Sequence, residues 1–101
     1  MEIAVHGEAQ RNADGISRQD IIAKLKEGEY VSLIREPENR YDQNAVRIDS
    51  ALGTIGYVPA TQCAAIGALL RNSQPRKCYI DRIDGGYDRH SNLGVWLKIE
   101  F

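Results

Sequence analysis

Arg35-Glu36-Pro37-Glu38-Asn39-Arg40-Tyr41-Asp42-Gln43-Asn44-Ala45-Val46-Arg47-Ile48 is the stretch around which the chain is organised. Before it, Tyr30 to Arg35 has the apolar, β-branched content of a strand; after it, Ala45 to Ile48 alternates apolar with polar side chains. The residues between them form a connection. Pro37 removes a ladder donor, and Asn39, Asp42 and Asn44 favour turns because their side chains bond the local backbone. A hairpin-like pairing of the two flanking strands is the simplest arrangement, with Val46 and Ile48 on one face and Ala45 and Arg47 on the other. The connection also carries an aromatic ring, a carboxylate, two amides and flanking arginines. Loops on a rigid scaffold concentrate binding residues, but Asx turns use the same residue types for local shape, and the chemistry alone leaves both readings open.

Working outward, Ile3 to His6 reads as a short first strand closed by Gly7, and Gln10 to Gly15 as a polar loop. Ser17 is placed as a helix N-cap with Asp20 three residues on, and the spacing of Ile21, Ile22 and Leu25 predicts a helix to about Lys26, stopped by Gly28. Thr54 to Val58 is a short fourth strand in which Gly56 permits a bulge or a close backbone approach. Pro59 opens a second helix that runs to about Arg71, with Cys63, Ile66, Gly67 and Leu70 on its buried face. Arg76 to Ile83 reads as a strand whose buried face the alternation leaves open, and Asp84 to Asn92 as a hairpin loop carrying Tyr87 and His90. Val95, Leu97, Ile99 and Phe101 supply the core face of a final strand. The expected fold is mainly β: a small antiparallel barrel of about six strands with two accessory helices, in one domain spanning residues 1–101.

Composition narrows the function classes. A hydrophobic fraction of 43% and a charged fraction of 27% are those of an ordinary globular domain rather than a disordered chain. No apolar run is long enough for a bilayer and the first residues do not read as a signal peptide, so a cytoplasmic or nuclear protein without membrane association is expected. Cys63 and Cys78 lack CxxC spacing and are expected as two reduced, buried thiols, with no metal and no cofactor. A formal charge of −1 argues against wrapping duplex DNA over a broad surface. The charge is unevenly spread, however: Ala51 to Ile80 contains no Asp or Glu but does contain Arg71, Arg76 and Lys77, so either a local basic patch or ordinary solvated charges result.

Leu33 to Val46, together with Gly53-Thr54-Ile55-Gly56-Tyr57-Val58-Pro59 and Val5-His6-Gly7, closely resembles the signature blocks of the HIRAN domain family. The resemblance covers most of the chain and implies an OB-like β-barrel with accessory helices. In a member carried by a fork-remodelling ATPase, the domain recognises the free 3′-hydroxyl end of single-stranded DNA, and Tyr41 and Asp42 match the motif positions implied in that capture. The family's opening-strand arginine and tyrosine would fall near Ile3 and Ala4 here, and a lysine near Ala60. Tyr57 occupies a histidine position, and Tyr87 matches a loop aromatic.

No GxSxG, Walker or HExxH motif is present, and the nearest approach to a metal-dependent nuclease is Asp42 with Asp49 or Asp81 with Asp84. The expectation is therefore a non-enzymatic module that binds single-stranded DNA ends in repair or replication-fork processing. Its expected site is Tyr41, Asp42, Asn44 and Tyr57, with Asn39 shaping the loop, Arg35, Arg40 and Arg71 contacting phosphates, and Tyr87 as a further ring. A monomer is expected, with a Swi/Snf-type ATPase or a nuclease as protein partner. The competing class is a protein-interaction module that binds a peptide along an exposed strand edge.

Overall fold

A computed structural model describes residues 1–86 and 91–101. Its elements run β1 (Glu2–Ala4), α1 (Arg18–Ile22), β2 (Ser32–Arg35), β3 (Val46–Ser50), β4 (Gly53–Tyr57), α2 (Ala60–Asn72), β5 (Lys77–Gly85) and β6 (Leu93–Glu100). The mainly β architecture with two helices is the one expected. The strands form two antiparallel three-stranded sheets, ordered β1-β6-β5 and β2-β3-β4. They enclose one apolar cluster in which Ile22, Val46, Ile48, Ile55, Ile80 and Leu97 are fully buried. Such a cluster is the main driving force for a chain of this size.

The barrel is not closed into a single sheet. Single bridges join the sheets: His6 pairs with Tyr57 on one side and Tyr30 with Tyr79 on the other. At the first seam, His6 and Tyr57 exchange both backbone hydrogen bonds at 2.8 Å. Gly56 makes this approach possible. Its φ is +154°, and an added Cβ would lie 2.5 Å from the His6 carbonyl oxygen, so the strand glycine singled out in the sequence marks a close backbone contact.

The signature loop joins β2 to β3 as the predicted hairpin, with Leu33 opposite Ile48 and Arg35 opposite Val46. Helix α1 begins at its expected cap, where the Ser17 hydroxyl accepts from the Asp20 N–H. It ends at Ile22 rather than near Lys26, because Lys24 and Leu25 donate to the carbonyls three residues back and tighten the chain. Gly28, at φ +92°, then donates to the Ile80 carbonyl and draws the segment onto β5. Helix α2 buries the predicted face, although Pro59 sits at its N-cap rather than inside its first turn. In β5 a register shift between Ile80 and Arg82 settles the ambiguous alternation. Cys78 and Ile80 point inward before it; after it, Arg82 lies outside, 4.2 Å from the Trp96 ring centre, and Ile83 is half-buried against the core. Both cysteines are free and buried, and burial pushes the Cys78 thiol up to about 11. Among the described residues, no helix is long and apolar enough to cross a membrane.

Candidate nucleic-acid interface

The loop after β2 is built by its own side chains. The Asn39 Oδ1 accepts from the N–H groups of both Tyr41 and Asp42, at 2.9 and 3.1 Å, and the Asp42 Oδ1 accepts from the Asn44 N–H at 2.8 Å. These successive Asx turns stiffen the segment without a ladder. They hold Tyr41 away from the core, and its side chain is 91% exposed. Asp42 turns the other way: its Oδ2 lies 3.5 Å from the Cys63 Sγ, whose one proton is shared between it and the Ala60 carbonyl at 3.3 Å in the first turns of α2. Burial, and then the neighbouring Asp42 carboxylate, push the Cys63 thiol above its ordinary range, so the sulfur stays protonated as a donor.

Asn39, Tyr41, Asp42 and Tyr57 surround one hollow of about 250 Å³, floored by Ala45, Val58, Ala60 and Cys63. Four of the residues singled out in the sequence thus share a site. Asn44 contributes its backbone N–H to the turn, and its side chain is exposed. Arg40 is exposed on the same loop. Arg35 lines a different hollow with Leu70 and Gln74, and Arg71 is exposed in the last turn of α2. Tyr87 lies outside the described residues.

A network that the sequence does not disclose fixes the back wall. The Tyr57 hydroxyl donates to the Glu36 Oε1 at 2.7 Å, the Asn39 Nδ2 donates to the same oxygen at 3.0 Å, and Arg47 Nη1 donates to the Glu36 Oε2 at 3.0 Å. Arg47 also forks onto Asp49 through Nε and Nη2, both at 3.0 Å, and Asp49 accepts from the Thr54 hydroxyl at 2.6 Å. Burial opposes the ionisation of Glu36, but the bonds from Tyr57, Asn39 and Arg47 outweigh it and hold the carboxyl below the usual range. Burial, followed by the hydrogen bond to Glu36, pushes the Tyr57 phenol up, so the ring keeps its proton. Hydrogen bonding to Asp49 raises Arg47 further.

Arg18 completes the wall. It is buried at the start of α1, where it donates to the Asn12 side chain and the Gly7 carbonyl, and its guanidinium lies 5.5 Å from the Tyr57 ring centre. Helix N-termini disfavour cations, so an arginine in the first turn is the one local signal that this side chain has a tertiary partner. A larger hollow of about 510 Å³ opens on the other side of Tyr57, but Glu36 and Asp14 line it and its Arg47 is already paired. Of the carboxylates weighed as a metal pair, Asp49 is taken up by Arg47 and Thr54, and Asp81 lies 3.5 Å from Lys98.

Residues 6–98 match the model of the HIRAN domain. The chain belongs to the HIRAN domain family. HIRAN domains are known as DNA-binding modules, and membership supports nucleic-acid binding by this one. Among solved structures, the chain resembles a protein from Lactobacillus plantarum with a TM-score of 0.69 and 21% identity, covering 99% of this chain and 92% of that one. It also resembles the HIRAN domain of human HLTF with a TM-score of 0.63 and 18% identity, covering 97% of this chain and 75% of that one. At these identities the likeness speaks for the fold. No curated relative matches the sequence.

Proposed function

We propose that this HIRAN domain binds single-stranded DNA at its free 3′-hydroxyl end, in the hollow bounded by Tyr41, Asp42 and Tyr57. The observation that carries this reading is Tyr41: a large ring, 91% exposed, held by two Asx turns at the rim of a hollow whose wall is a carboxylate. Such a ring stabilises no core, and it is a ready platform for a terminal base, a contact worth roughly 1–3 kcal/mol. Asp42 retains acceptor capacity beyond the Asn44 N–H and the Cys63 thiol. It can therefore accept from a terminal hydroxyl, while its charge repels the phosphate of a continuing strand.

Tyr57 forms the opposite wall, its hydroxyl already committed to Glu36, so it offers its ring edge and face rather than a free donor. The hollow suits one terminal nucleoside. Arg40, exposed beside Tyr41, is the nearest cation in sequence to the incoming backbone, with Arg35 and Arg71 further along the surface. The positions that carry basic residues elsewhere in the family are apolar here, so the affinity rests on stacking and end capture more than on phosphate contacts. On this reading the domain binds rather than reacts, and it presents an end to a Swi/Snf-type ATPase or a nuclease during repair or fork processing.

Fluorescence anisotropy at low salt with short oligonucleotides ending in a 3′-hydroxyl or a 3′-phosphate tests it, with duplex as control. Tighter binding of the hydroxyl end is expected. Equal affinity for the two ends would reduce the site to a generic DNA surface, and no binding to either would remove the DNA reading.

A further inference from the structure

We infer that the free edge of β2 is a docking site for an extended acidic peptide segment of a partner protein, which adds to the sheet as a further strand. The site is separate from the hollow at Tyr41 and shares only Arg35 with the proposed path of the DNA backbone.

The argument begins with the ladder. Among the described residues, β2 pairs only with β3. The Glu36 N–H donates to the Ala45 carbonyl at 2.9 Å, so hydrogen-bonded pairs alternate from there through Ile34–Arg47 to Ser32–Asp49. Val46 turns its carbonyl the other way, to the Val58 N–H at 3.0 Å. Leu33 and Arg35, opposite Ile48 and Val46, are therefore in non-hydrogen-bonded pairs, and their N–H and C=O groups face outward from the sheet. One step earlier, the outward N–H of Val31 is satisfied by the Cys78 carbonyl of β5 at 3.0 Å. The contact between the two sheets stops there. Further along, Pro75 has no N–H to give, and the Arg76 N–H is turned to the Glu100 carbonyl at 2.6 Å. Among the described residues, two donors and two acceptors of β2 are left without a ladder partner.

A groove runs along that edge. It consists of two adjoining hollows of about 190 and 500 Å³ that share Ser32, Leu33 and Gln74. Among the described residues its charged lining is Arg35, Arg76 and Lys77, with no carboxylate in either hollow. The ion pairs among the described residues involve Arg47 and Lys98 and none of these three. Glu100 stands across from Lys77 in the ladder without pairing with it. Tyr30, 68% exposed and edge-on to Tyr79, closes one end. Cations and a proline on an open edge discourage the edge from pairing with a second copy of itself. The same cations favour an incoming strand of opposite charge, whose main chain would meet outward groups repeating every two residues, about 7 Å apart. An alternating donor and acceptor ladder fits a peptide backbone; the sugar-phosphate backbone of DNA offers acceptors but no regularly spaced N–H donors.

The test uses the full chain and a short fluorescein-labelled, acetylated peptide alternating valine with glutamate. The controls are the counterpart with lysine for glutamate, and oligothymidine. The glutamate peptide is expected to bind at least about tenfold more tightly than the lysine peptide and to slow amide hydrogen exchange at Leu33 and Arg35. Charge reversal at the exposed pair, Arg76→Glu with Lys77→Glu, should weaken it by about tenfold or more. Arg35→Pro removes an outward N–H without breaking the β2–β3 ladder, and should weaken binding beyond Arg35→Gln, which removes only the charge. Equal binding of the two peptides, absence of binding, or unchanged exchange at those amides would overturn the inference. Protection of the same amides by oligothymidine in place of the peptide would overturn it too, by assigning the groove to nucleic acid. Tyr41→Ala should leave this peptide binding unchanged while weakening capture of a DNA end, which separates the two readings.

Discussion

The two ends of the signature loop carry the same kinds of side chain and use them in opposite ways. At the Glu36 end the carboxylate is saturated: Tyr57, Asn39 and Arg47 all donate to it, and Arg47 is further held by Asp49. At the Tyr41–Asp42 end the ring is exposed, and the carboxylate has one backbone donor and one weakly donating thiol. Residue chemistry alone does not separate scaffold from site. What separates them is how much of each group's hydrogen-bonding capacity the fold has already used. The Glu36 end fixes the walls, and the Tyr41 end has capacity left for a ligand.

Substitutions at the two ends should therefore fail differently. The largest effect is expected from Glu36→Ala, which leaves the Tyr57 hydroxyl, the Asn39 amide and one arm of Arg47 without their acceptor. A loss of about 1–2 kcal/mol, read as a drop in Tm of roughly 5–10 °C for a domain of this size, should appear in thermal unfolding. A Tm within experimental error of the parent would move Glu36 out of the scaffold. Tyr41→Ala should behave in the opposite sense, with Tm nearly unchanged and affinity for a single-stranded end reduced about tenfold, in keeping with the loss of one base stack. A clear fall in Tm there would make the ring a packing residue and blur the contrast between the two ends.

Asp42→Asn keeps an acceptor for the Asn44 N–H but removes the charge. Its effect should be confined to selectivity, with the preference for a 3′-hydroxyl over a 3′-phosphate eroded several-fold, on the order of the cost of one partly screened like-charge contact. Unchanged selectivity would mean that Asp42 only shapes the turn. The smallest effect concerns pH. The folded Glu36 carboxyl lies below its ordinary value of 4.5, so its contribution is complete above that value and is lost as pH falls through the folded value. Glu36→Gln should accordingly flatten the acid limb of the Tm–pH profile below about 4.5 and leave the neutral region parallel to the parent. An acid limb identical to the parent's would show that the network does not depend on the Glu36 charge.

Much of this was legible from short-range rules. The β2–β3 hairpin, the Ser17 cap, the buried face of α2 and the close approach at Gly56 each follow from periodicity, a capping hydroxyl or the absence of a Cβ, and the structure carries all four. The Asx turns at Asn39 and Asp42 were legible for the same reason, because a side chain that bonds its own backbone two or three residues on needs no distant partner. Helix α1 stops short of the length its apolar spacing implies, because the bond that draws the chain away, Gly28 to Ile80, joins segments far apart in sequence.

The sequence by itself determined the mainly β class, the family and the loop where the chemistry is concentrated, since those depend on residues close together in the chain. Only the tertiary structure decided which of the loop's groups are used up. Tyr57 reaches Glu36 across 21 positions, Cys63 reaches Asp42 across 21, and Asn12 reaches the Thr54 carbonyl across 42. It also decided that one seam closes at His6 and Tyr57 while the edge of β2 beyond Cys78 stays open. Unlike the Asx turns, these hydrogen bonds are set by partners that meet only after the sheets have packed, and no local pattern encodes them.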